Sequence, residues 1–225
     1  MMGAMQITVR AEALGRRAPE VAVLNVRASH ESGSQDESAD RAHELMKSLS
    51  DELRELQSRQ PEVVERLVVL PVALRSWRPW NSEGKQLPPR FEATGRVEVA
   101  LRDFGVLARL VEQWSRRDGV GFDAPRWELD EGTRRDLEAE VTTEAVRQAR
   151  RRAEVMAAAS GFTTVVPVQV ADTGLLREAA GPEAMMRGGI RAAAFAAPGG
   201  EDEGFDLTPR EVEVGVQVEA VFLAE

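Results

Sequence analysis

Strict alternation opens the chain. Between residues 6 and 14, Ile7, Val9, Ala11 and Ala13 share one face with polar residues between them, which predicts a strand buried on one side. The stretch Gly15-Arg16-Arg17-Ala18-Pro19 reads as a turn, and Val21, Val23 or Leu24, and Val26 predict a second strand near 20–28. The period then lengthens. Ala39, Ala42, Met46, Leu49, Leu53 and Leu56 recur at steps of three and four, the stripe of an amphipathic helix. Ser34 and Glu37 have capping-box spacing ahead of it, and Pro61 marks its end.

Short period returns at 66–75, followed by a loop from Ser76 to Pro89. Between residues 91 and 101, Phe91, Ala93, Gly95, Val97, Val99 and Leu101 form the inner row of another strand. Asp103 is placed to cap a short helix carrying Leu107, Leu110, Val111 and Trp114, and residues 120–130 read as a strand. The longest periodic segment is 133–160, about 40 Å of helix. Leu137, Val141, Ala145, Ala149, Ala153 and Met156 line its predicted inner face, and Gly161 is the expected C′ residue. Strands at 162–171 and 210–223 close the pattern.

From residue 20 to 130 the order is strand, helix, strand, strand, helix, strand. It predicts an α+β fold, a mixed, mostly antiparallel sheet with its helices packed on one face and a split βαβ-like core. The long helix and last two strands extend that core, and residues 1–225 read as a single domain. Glycine, proline and acidic residues interrupt the rhythm at about 172–209. An insertion of that length in a compact domain is usually functional or disordered.

Composition narrows the chemistry. The 225 residues include no cysteine and two histidines, His30 and His43. This excludes disulfides, thiolate nucleophiles, zinc fingers and iron–sulfur sites, and leaves little for a histidine-rich metal centre. A net charge of −9 argues against nucleic acid as a partner. No apolar run reaches the roughly 20 residues of a membrane-spanning helix, and the N-terminus lacks a signal-peptide pattern, so the expectation is a cytoplasmic protein without a membrane span.

No phosphate-binding glycine loop or nucleophile elbow is present in the sequence. Glu201, Asp202, Glu203 and Asp206 lack calcium-loop spacing and read as a solvated acidic loop. Arg147, Arg150, Arg151 and Arg152 stand among glutamates at helix-pairing distance, so an ion-paired outer face is expected. No catalytic residue, cofactor or metal site is expected. Trp77-Arg78-Pro79-Trp80 is the exception: these tryptophans fold back over the sheet, anchor a protein interface, or stack on a small ligand. Trp77, Trp80, Met185, Met186 and Phe205 are the candidate interface residues.

Several segments, in order, resemble the SIMPL domain family, whose bacterial members include periplasmic immunogenic proteins. They are Ala18-Pro19-Glu20-Val21-Ala22, the aromatic-led strand Phe91 to Val99, and the helix Glu144 to Glu154 running on to Gly161. The closing valine-alternating strand also fits, while Phe91 stands where the family usually has tyrosine. The resemblance implies an α+β fold and, in some members, ring-like or channel-like homo-oligomers, with no established catalytic residues. The expected function is therefore non-enzymatic, through self-assembly or a protein partner. The alternative is a small-ligand-binding module or enzyme using a pocket near the Trp77/Trp80 loop.

Overall fold

A computed structural model describes residues 4–175 and 206–225. The contacts gather these residues into two compact units, a terminal one (residues 4–17, 129–175 and 211–225) and a central one (18–128 and 206–210).

The terminal unit is a three-stranded antiparallel sheet under one helix. β1 (Met5–Arg17) pairs along its whole length with β8 (Val212–Ala224), and β7 (Val165–Asp172) lines the other side of β8. α3 (Glu131–Ala159) covers the sheet, burying Leu137, Val141, Ala145, Ala149 and Ala153 against Ile7, Val9, Val218 and Phe222. The expected stripe departs at its end. Met156 is 42% exposed and Ala157 is buried instead, because the helix steps by four from Ala153. Gly161 ends the helix at φ +84°, as expected.

The central unit holds the predicted split βαβ core. β2 (Val21–Ser32), α1 (Gln35–Arg59), β3 (Val64–Trp77), β4 (Arg90–Leu101), α2 (Phe104–Trp114) and β5 (Val120–Phe122) give the antiparallel order β3-β4-β2-β5. The single strand expected at 120–130 divides into β5 and β6 (Arg126–Glu128), both paired with β2. Pro125 has no N–H for a ladder at the break, while the amide of Asp123 still donates to the Asn25 carbonyl at 3.1 Å. The α+β assignment holds, but the one sheet expected is two sheets. β1 and β8 pair with each other, an association between opposite ends of the chain that periodicity does not encode.

One face of the central sheet lies under α1 and α2, with Leu24, Leu49, Leu53, Val97, Val99 and Trp114 fully buried. Two details set the position of α1. Gly95 leaves space for Met46, since a Cβ there would stand 2.4 Å from Met46 Cγ. Ser38 is buried, and its hydroxyl donates to the Phe91 carbonyl at 2.9 Å. The Ser34 hydroxyl caps α1 at the Glu37 amide, and Asp103 caps α2 through the amides of Gly105 and Val106.

Glu52 of α1 ties down the end of α2. Arg117 donates to both its oxygens at 2.7 and 2.8 Å, and the Trp114 indole N–H donates at 3.0 Å. Burial opposes ionisation of Glu52, but the Arg117, Trp114 and Ser48 hydrogen bonds and the Arg117 charge outweigh it. They hold the carboxyl below its ordinary value of 4.5. A lowered folded-state pKa stabilises above the unfolded value and loses that contribution as pH falls through the folded one. Glu52→Gln is therefore expected to cost about 1–2 kcal/mol at neutral pH, a cost that shrinks on the acid side of 4.5. Urea unfolding at neutral and acid pH checks it; an equal cost at both would remove the carboxylate from the account.

Candidate functional site

The hairpin of β3 and β4 continues into a folded end, residues 78–89. Asn81 organises it: its side-chain oxygen accepts from the amides of Glu83 and Lys85 at 3.1 and 2.8 Å. Its backbone amide donates to the Lys85 carbonyl, and Gly84 sits at φ +75° to let the chain reverse. A bridge between Trp80 and Gln86 and a hydrogen bond from the Leu87 amide to the Pro79 carbonyl close the base. This end is braced by its own backbone.

The two tryptophans do different work. Trp77 is half-buried, with the Arg75 guanidinium 4.9 Å from its ring centre, a cation–π contact that packs the ring along the hairpin. Trp80 is 66% exposed. The two rings thus differ: Trp77 is partly covered within β3, and Trp80 is exposed beyond its end. Beside them a shallow hollow of about 490 Å³ is lined by Trp77, Pro79, Leu87, Pro88 and the Glu31–Arg90 ion pair, 2.9 Å apart. Met185, Met186 and Phe205 lie outside the described residues.

The sheet face opposite the helices carries alternating rows of charge. In register across β2 and β4 stand Asn25 and Glu98, Arg27 and Arg96, Ser29 and Thr94, Glu31 and Glu92. Each glutamate in these rows has an arginine partner: Glu31 takes Arg90, Glu92 takes Arg75, and Glu98 takes Arg66 and Arg126. β3 edges this face with Val68 and Leu70, each more than a third exposed. Sequence reading did not single out Arg27 and Arg96. Each occupies an ordinary outward strand position, and only the register of two distant strands brings them opposite.

The arginine-rich stretch of α3 is ion-paired as expected, with Arg150 on Glu154 and Arg151 and Arg147 on Glu144. Of the acidic loop only Asp206 is described. Hydrogen bonds from Thr208 and Arg210 hold its carboxyl at about 2. His43 is exposed on α1, in hydrogen-bond contact with the Ala39 carbonyl. Among the described residues no group of acidic and histidine side chains could hold a metal ion. Nor is any described helix long and apolar enough to cross a membrane.

The family model SIMPL, "Protein of unknown function (DUF541)", matches residues 7–222, which spans both units and nearly the whole chain. Comparison with curated proteins gives no match.

Proposed function

The chain belongs to the SIMPL family, and on that footing we propose that it works without catalysis, by associating with further copies of itself through the end of the β3–β4 hairpin. The observation that carries this reading is Trp80, 66% exposed on a hairpin end already held by its own hydrogen bonds. A large aromatic ring on a rigid support loses little conformational freedom when it is buried by a partner, which is the character of an interface anchor. Leu87, 38% exposed on the same hairpin end, adds to the apolar surface.

The edge itself favours contact through side chains over unlimited strand addition. β3 carries Pro71 at a register shift between Leu70 and Ala73. β7, an edge of the other sheet, carries Pro167 at a shift of its own. Proline and bulges on edges interrupt the backbone template that open-ended pairing needs. Closed assemblies are the consistent outcome.

Size-exclusion chromatography with light scattering over a concentration series tests the reading. The parent is expected to form a defined oligomer, and Trp80→Ala to weaken it by roughly tenfold or more in dissociation constant. A strict monomer at high micromolar concentration, or an oligomer indifferent to Trp80→Ala, would overturn it.

A further inference from the structure

Directly opposed like charges destabilise an antiparallel strand pair. The central sheet contains two such pairs on its open face, and they are treated differently. Glu31 opposite Glu92 is neutralised on both sides, by Arg90 and by Arg75. Arg27 opposite Arg96 is not: among the described residues neither forms an ion pair, and the neighbouring Glu92 and Glu98 are engaged by other arginines. In a chain of net charge −9, where carboxylates outnumber basic groups, two adjacent unneutralised arginines stand out.

The surroundings complete a recess. Arg27 and Arg96 stand at the floor of a concavity of about 760 Å³, with Ser29 and Thr94 beside them and Leu70, Pro71, Ala73 and Leu74 of β3 as one wall. Gly121 of β5, on the other side of Arg27 from Arg96, leaves room for the Arg27 guanidinium to lean over β5: a Cβ there would be 3.1 Å from Arg27 Nη2. Guanidinium forks and hydroxyls in one lining suit the oxygens of a carboxylate or phosphate. The apolar wall suits a hydrocarbon body attached to that group.

We propose that the Arg27–Arg96 recess binds a small organic oxyanion, its charged head held by the arginines and its apolar body along Leu70, Pro71 and Ala73. The site is separate from the hairpin end and does not depend on self-association. Titration calorimetry on the full chain at constant ionic strength, with hexanoate, hexyl phosphate and acetate, tests it. Hexanoate or hexyl phosphate is expected to bind saturably and about tenfold more tightly than acetate. Whichever of the two binds tighter distinguishes a carboxylate ligand from a phosphate ester. Arg27→Gln and Arg96→Gln are each expected to weaken binding by about tenfold, while Arg116→Gln, in the turn that follows α2, leaves it unchanged. Both recess variants should fold, since each removes a repulsion. No saturable binding of either probe, or equal binding by the recess variants and Arg116→Gln, would overturn the proposal.

Discussion

Trp114→Ala is expected to destabilise the central unit by about 3–5 kcal/mol, the range for emptying a fully buried aromatic position. Trp114 is 0% exposed at the end of α2, within the same core as Leu49, Leu53 and Leu107. Its removal leaves a cavity between α2 and α1 and also takes the indole donor from Glu52. The spectroscopy is favourable. Trp77, Trp80, Trp114 and Trp127 all lie within residues 18–128, and the chain has no tyrosine. Tryptophan fluorescence therefore reports on the central unit alone. A loss of stability below about 1 kcal/mol by fluorescence-detected urea unfolding would show that the α1–α2 contact is not a principal source of that unit's stability.

The second large effect is expected from adding atoms. Ala145, Ala149 and Ala153 of α3 are each 0% exposed, and the helix lies close on β1. A Cβ on Gly15 would stand 2.6 Å from Val141 Cγ2, so the separation has no slack nearby. Ala149→Leu places three further heavy atoms in that seam and is expected to cost about 1–3 kcal/mol, through overpacking. Ala158→Leu, on the exposed side of the same helix, is expected to stay within about 0.5 kcal/mol of the parent. Helical circular dichroism during thermal unfolding checks both. Equal midpoints for the two variants would mean that α3 can lift from its sheet at little cost.

Much of this fold is legible in the sequence. Alternation located the strands, and the steps of three and four located α1 and α3, because a buried face imposes its period on the side chains that fill it. The caps at Ser34 and Asp103 and the stop at Gly161 were readable for the same local reason. What stayed hidden was long-range or polar. The division into two sheets depends on β1 finding β8, and nothing within either segment names its partner. Ser38 is buried but polar, so a hydrophobic pattern passes over it. For the candidate site, the sequence marked the tryptophans but could not separate them: Trp77 closes β3 beside Arg75, while Trp80 stands in the folded end beyond it. Arg27 and Arg96 became a pair only through strand register.

The strand order of the terminal unit also sets a timetable for synthesis. β8 is the middle strand, with β1 and β7 on either side, yet it is made last. At typical rates of about 5–20 residues per second, β1 emerges on the order of ten to forty seconds before its partner exists. Through that interval Ile7, Val9, Ala11 and Ala13 lack their β8 partner, while residues 18–128 of the central unit can fold on the nascent chain. That sheet therefore closes only once residues 212–224 have left the ribosome, and until then the chain depends on its central unit to stay folded.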